Sequence, residues 1–240
     1  MPDTYVSLVN ELLRRLNEVE LDTGGQGFTT TRNVQALAKD AINSAIRLIL
    51  HDGQEWPFLR TSNVQTLVAG TSTYTFQTNM SSVDWDTFYL KKVTALNNFP
   101  MKLPTITYDD YISNHRPFDD QAPAGGLEAP RLVYQTYERK FGVTPLPNAA
   151  YEVEYVYWSF PADLVNFNDT TIIPERFRHV ILDGAMMFMM RHRSNEQSAA
   201  IHQGNFEQGI RMMRRVLLDD PMYMRSTYIE RPIRPYSTFY

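Results

Sequence analysis

The chain has 240 residues, of which 43% are hydrophobic and 21% are charged, and its formal net charge at pH 7 is −4. This composition is typical of a globular protein with a sizeable core, and it excludes wholesale disorder. The lack of cysteine excludes disulfides, thiolate metal sites and cysteine nucleophiles, and the acidic balance disfavours a protein that grips nucleic acid by neutralising phosphates.

No apolar run approaches the ~18 residues that a membrane helix needs. The N-terminus also lacks a basic segment followed by an apolar run, the usual mark of a secretory signal. We therefore expect a soluble, non-exported protein that makes no contact with a membrane.

Two amphipathic helices are predicted first. Apolar residues recur at helical spacing over 5–19 and again over 34–49. The glycine-rich stretch 22–27 between them lacks the lysine and the hydroxyl residue of a phosphate-binding loop, so it is interpreted as a connector. Trp56 follows the second helix next to Pro57 and Phe58, and we expect it to pin that helix to the next layer.

From residue 61 the apolar period changes from helical to two, which indicates strands. Residues 64–68 and 73–76 flank Ala69-Gly70 and predict a hairpin, and an edge strand is expected over 99–104 because its prolines cannot donate to a ladder. Thr107 with Asp110 predicts a cap on a brief helix. A long loop is predicted over 114–130, and further strands are predicted over 85–96, 131–135, 140–144 and 151–160.

The last apolar-periodic stretch, 173–220, predicts two helices joined at 193–195. Pro174 suits a first helical position, and Ser194 with Gln197 fits a capping box for the second helix. The first of these helices is methionine-rich and apolar on more than one side, so it is expected to be buried between layers or to pack against a second copy. The predicted fold class is α+β: residues 1–60 and 172–220 form a helical bundle, 61–171 form an inserted antiparallel β domain, and 221–240 form an extended C-terminal tail.

Motifs that would carry catalysis are missing from the sequence. It contains no H-E-x-x-H and no G-x-S-x-G motif, and its paired acids are adjacent, so their side chains point apart. A calcium-binding loop is matched only loosely by Asn166, Asn168 and Asp169, because the central glycine and the closing glutamate of such a loop are missing. We predict no enzymatic activity, no cofactor and no metal. A basic helix with Arg176 and Arg191 could face DNA phosphates or an acidic partner, or it could be an ordinary solvated surface.

Several segments together resemble the head-to-tail adaptor proteins of short-tailed bacteriophages, also called tail tubular protein A or gatekeeper proteins. They are an amphipathic helix ending in Trp56-Pro57-Phe58, the strand pair over 64–76, the segment 143–147 leading into 151–157, and Ile172-Ile173-Pro174 opening a helix. The resemblance covers roughly residues 30–220.

The resemblance implies a virion protein, assembled in the host cytoplasm, that forms a ring of twelve subunits. The ring would extend the portal protein, receive the tail nozzle protein on its β loops, and let double-stranded DNA pass without sequence-specific binding. Tails of similar proteins dock on the portal, and this implies portal contact by Tyr228, Arg231, Arg234, Tyr236, Phe239 and Tyr240. Buried aromatic and arginine anchors are what an extended docking segment requires.

Two alternatives stay open at this point. The chain could be another tail-completion or nozzle protein, because those share its composition. It could also be a soluble α+β enzyme or ligand-binding domain with its site under the 114–130 loop, although this reading requires convergent polar groups that the sequence does not display.

Overall fold

Helices from both ends of the chain enclose a β region, as the computed structural model shows for residues 4–21, 28, 31–52, 55–92, 100–121 and 127–218. The α+β prediction is confirmed. The predicted domain boundaries stay a prediction, and the tail after residue 218 lies outside the described residues.

The helices that pack together are α1 (Tyr5–Arg15), α2 (Asn33–Leu50), α5 (Arg178–His192) and α6 (Glu196–Leu217). Between α2 and α5 lie the strands β1 to β8 and two short helices: α3 (Tyr108–Asp110), which continues into a π turn over Tyr111–His115, and α4 (Arg116–Gln121). The strands are β1 (Arg60–Leu67), β2 (Thr73–Thr75), β3 (Met80–Lys92), β4 (Met101–Lys102), β5 (Thr105–Ile106), β6 (Leu132–Gln135), β7 (Lys140–Thr144) and β8 (Tyr151–Ser159).

The strands form two four-stranded sheets, in the orders β1-β8-β3-β4 and β2-β7-β6-β5. Their inner faces meet in an aromatic core, in which Phe141 contacts Tyr155 at 5.6 Å and Phe88 at 5.5 Å between ring centroids. The central strand β8 alternates strictly between buried and half-buried residues, as its sequence period predicts. Residues from both sheets therefore share one β core.

The helical core is centred on α5, which packs against α2, α6 and α1. Gly184 allows the close approach, because a Cβ added there would lie 2.8 Å from the Phe206 ring and 2.9 Å from the Ala45 methyl group. Within one chain, then, α5 is buried between layers, which is the first of the two options that its all-round apolar pattern left open. Trp56 is fully buried against this core, and its indole donates to the carbonyl of Ile49 at 2.9 Å.

Three local expectations are wrong. The segments predicted as one hairpin belong to different sheets, since β1 pairs with β8 and β2 with β7. The second C-terminal helix is capped by Asn195, whose side chain accepts from the N–H of Ser198, while Ser194 has φ of +55° and lies outside the helix. Residues 116–121 of the predicted long loop are helical.

Other local expectations are confirmed or refined. The Thr107 side chain accepts from the N–H of Asp110, as predicted. Pro174 precedes a 3-10 turn over Glu175–Phe177 instead of starting the α-helix itself. The β region is also not wholly antiparallel, because β5 and β6 run parallel.

Candidate functional site

The six residues predicted to contact the portal lie outside the described part of the chain. Their roles therefore stay predictions. What the structure does show is where the preceding helix ends, at Leu217, and how that end is held. The Arg214 guanidinium in the last turn of α6 binds the carboxylate of Asp52 after α2, with atom separations of 2.6 to 2.8 Å.

Basic residues at the two ends of α5 bind side chains of neighbouring segments. Arg178 lies 2.6 Å from Glu11 of α1, and Arg193 lies 2.5 Å from Glu18. Arg191 donates to the side-chain oxygen of Gln203 at 2.8 Å. Because Arg178 and Arg193 are already paired with carboxylates, two of the charges in this run are offset within the chain and are less available to neutralise phosphates.

An open cleft of about 580 Å³ lies beside the outer strand of the second sheet. It combines aromatic side chains with hydroxyl and amide groups, a mixture suited to recognising a partner protein. Its lining residues are Trp85, Thr105, Ile106, Thr107, Tyr108, Gln135, Thr136 and Tyr137.

Two supported aromatic rings flank this cleft. Tyr137, at 84% exposed, meets Tyr108 edge to face at 5.0 Å between centroids. Trp85 stacks on Phe88 of the β core at 5.2 Å. Trp85 is thus supported by the β core, and the largely exposed Tyr137 ring lies against Tyr108. Both rings offer amphipathic or apolar area that a partner can cover at low cost in side-chain entropy.

The sequence predicted a binding role for none of these cleft residues, and Thr107 was expected only to cap a helix. A signal was present, because Tyr137 is a lone aromatic in the polar turn between two predicted strands, where packing cannot explain it. The sequence signal for Trp85 and Tyr108 was weaker, because alternation along a strand does not show which edge of a sheet a side chain reaches.

Asp119 is the buried carboxyl in the segment where the alternative enzyme reading placed its site. Burial raises the pKa of Asp119, and the Thr144 hydroxyl and the N–H of Leu146 oppose that shift. Its Oδ2 atom has no hydrogen-bond partner, and none of the residues that line the large cleft comes from the 114–130 segment. The groups that act on Asp119 also include His115 and the Tyr111 hydroxyl, and the hydrogen bonds from Thr144 and Leu146 tie the carboxyl to the second sheet.

The loop that loosely matched a calcium site folds on itself. The Asp169 carboxylate accepts from the N–H groups of Val165 and Asn166, each at 2.7 Å, and these bonds lower the pKa of Asp169. The carbonyl of Asp169 accepts from the N–H of Tyr5 at 2.7 Å and so anchors α1. Across the described ranges, no group of three or more His, Asp or Glu side chains is placed to hold a metal ion.

Comparison with known proteins gives one family. The family model described as SU10 adaptor protein matches residues 3–232, nearly the whole chain. No curated protein matches the sequence. Over the described residues, no helix is long and apolar enough to cross a bilayer.

Proposed function

Because the chain belongs to the SU10 adaptor protein family, whose members are structural adaptors of bacteriophages, we propose that it forms the ring that joins the portal to the tail nozzle. The chain is a structural component of the virion and a partner of phage portal and tail proteins. Its proposed finer role is a twelve-copy ring, assembled in the host cytoplasm, through which DNA leaves the capsid.

The family match over residues 3–232 is the observation that carries this proposal. The helical bundle supplies the rigid body of a ring subunit. Helix α6 ends at Leu217, and the 22 residues 219–240 contain five aromatic and three arginine residues. Such anchors suit a segment that is laid into a partner's groove, and we assign the portal as that partner.

The β region faces the nozzle in this proposal. The aromatic cleft lies at β5, the outermost strand of its sheet, where backbone groups and exposed rings are both accessible. A partner strand or loop can bind such an edge through main-chain hydrogen bonds and ring contacts.

The charge of the chain is compatible with a passage for DNA. Each copy contributes a formal charge of −4, and the arginines at the ends of α5 are paired with Glu11 and Glu18. A channel wall that held phosphates tightly would slow ejection, because each phosphate contact adds to the electrostatic affinity.

The mass of the purified protein in solution, alone and mixed with the portal of its phage, tests the proposal. We expect a monomer alone and a ring of twelve copies on the portal. A protein that forms no ring with the portal but binds the nozzle would instead be a nozzle or tail-completion protein. One that ignores both would contradict the adaptor role, and the aromatic cleft would then be the place to search for a ligand.

A further inference from the structure

Helix α6 carries a second apolar face that no other part of its described chain covers. Its first face buries Phe206 and Met213, yet Ile201, Met212 and Val216 are 60%, 51% and 53% exposed. Residues 201, 212 and 216 are separated by 11 and 4 positions, about three turns and one turn, so they lie on one side of the helix. Together with Gly204 we call these residues the outer stripe.

Gly204 has no role within the described chain that would favour glycine. A Cβ added at Gly204 would meet nothing within 4 Å, whereas one at Gly209 would lie 2.7 Å from Val180. Glycine in the middle of a helix destabilises the helix relative to alanine, because it has more backbone freedom to lose. Gly209 offsets this cost through close packing on α5, and Gly204 would do so only if another backbone approached the outer stripe.

The outer stripe points away from α2. Arg214 extends toward α2, where it binds Asp52. Met212 is two residues earlier, about 200° around the helix, so its side chain leaves on the opposite side. The outer stripe and a surface on α2 therefore face in different directions, so each can contact a different neighbouring copy of the chain.

A pocket of about 170 Å³ lies between α2 and α5. Leu37, Ala41, Phe188 and Met189 give it an apolar lining, to which Ser44, His192 and the exposed Asp40 add polar groups. Arg215, which is next to the outer stripe on α6, is exposed and has no ion pair among the described residues. Asp40 of the pocket is also exposed and has no ion pair among them. The outer stripe and the pocket thus both present apolar groups, and Arg215 and Asp40 beside them carry opposite charges.

We propose that the outer stripe of one copy docks into the α2/α5 pocket of a second copy, with Met212 filling the pocket and Arg215 approaching Asp40. Because the two surfaces differ, the contact is heterologous, and repeating it closes a ring when the rotation allows. This inference rests on the proposed ring and names the surfaces that build it. The pairing covers the exposed methionine, makes use of Gly204 for close approach, and brings opposite charges together.

Cysteine cross-linking tests the pairing, because the natural chain contains no cysteine. Rings of a Ser44→Cys, Met212→Cys double variant are first identified by mass on the portal, then oxidised and separated on a denaturing gel without reductant. We expect a ladder of covalent oligomers, because a disulfide within one chain adds no mass. Each single variant, and a Val64→Cys, Met212→Cys control with a cysteine on β1, should stay monomeric on the gel.

The other outcomes each decide a point. Rings that form without a ladder would overturn the pairing and leave the adaptor role intact. Dimers from Met212→Cys alone would show that two stripes face each other, which also overturns it. If the unmodified chain forms no ring, both the adaptor role and the pairing fail.

A charge in the stripe provides a second readout. Met212→Glu should raise the concentration needed for half-assembly of the ring at least about tenfold, since it places an acid in an apolar pocket near Asp40. The matched Val64→Glu variant, also at an exposed apolar position, should assemble as the unmodified chain does. Equal assembly of the two variants would overturn the pairing.

Discussion

The Arg214 guanidinium binds the Asp52 carboxylate through two parallel contacts: Nε donates to Oδ2 at 2.8 Å and Nη2 donates to Oδ1 at 2.6 Å. Asp52 lies two residues after the end of α2, and Arg214 lies in the last turn of α6. The pair therefore ties together two helix ends from opposite ends of the sequence, and it does so just before the predicted docking tail begins.

Arg214→Met should lower the free energy of unfolding by about 1–3 kcal/mol, because it leaves the mostly buried carboxylate of Asp52 without its bidentate partner. Urea unfolding of the purified protein measures this. Arg215→Met removes the same charge from an exposed position and should change the free energy of unfolding by less than about 0.5 kcal/mol. Equal losses in the two variants would contradict a specific role for the Arg214 pair.

Gly184→Ala should destabilise the protein by about 1–3 kcal/mol, since the added methyl group would clash with both Phe206 and Ala45. Gly204→Ala is the matched control in a neighbouring helix, where the methyl group meets open space. We expect it to stabilise the isolated chain by up to about 1 kcal/mol. Thermal unfolding of both variants checks the contrast, and a loss of stability in Gly204→Ala would show that its surroundings are not open.

Asp119→Asn should alter how stability depends on pH. Burial raises the pKa of Asp119 in the folded state above its unfolded value, so the ionised carboxylate destabilises the fold at neutral pH. This penalty disappears as pH falls through the folded pKa toward the unfolded value of about 3.9. The stability of the variant minus that of the unmodified chain should therefore be most positive near neutral pH and should decrease on acidification.

Urea unfolding at several pH values measures this difference. The exposed Asp109→Asn variant controls for the loss of one negative charge from the same region. A difference for Asp119→Asn that does not vary with pH would show that the carboxyl titrates equally in the folded and unfolded states.

Removal of residues 219–240 should abolish portal binding and leave the fold intact, because the helical bundle and both sheets lie within the described residues before them. Binding to immobilised portal, with circular dichroism as the check on folding, measures both effects. A milder variant with Arg231→Ala and Arg234→Ala should weaken binding about tenfold or more, since arginine anchors dominate many interfaces. Unchanged portal binding by the truncated chain would rule out docking through the tail.

Tyr137→Ala should weaken binding of the nozzle protein without affecting stability, because the ring is largely exposed and contributes mainly to the surface of the cleft. We expect a loss of about tenfold in affinity and a change in unfolding free energy below about 0.5 kcal/mol. Phe118→Ala, at a comparably exposed aromatic outside the cleft lining, should leave nozzle binding unchanged. Equal effects of the two variants would argue against the cleft as the binding surface.

The sequence alone determined the main helices and strands and, from them, the α+β fold class, because helical spacing and alternation depend on near neighbours along the chain. The helix Arg116–Gln121, which lies in a predicted loop, is the exception. Apolar residues at helical spacing marked α2 and α6, and strict alternation marked β8 with its buried Tyr155. The turn and strand segments also carried the family resemblance, which the match over residues 3–232 confirms.

Only the tertiary structure decided which elements meet. Alternation shows that β1 has two faces but not that its partner is β8, whose pairing brings Arg60 opposite Trp158 across nearly a hundred residues. The hairpin prediction was wrong for this reason, since a short turn is only one of the ways to pair a strand and core packing selected another. The cleft around Tyr137 and the outer stripe of α6 likewise arise from packing, because a side chain is exposed or covered according to distant segments that no local pattern specifies.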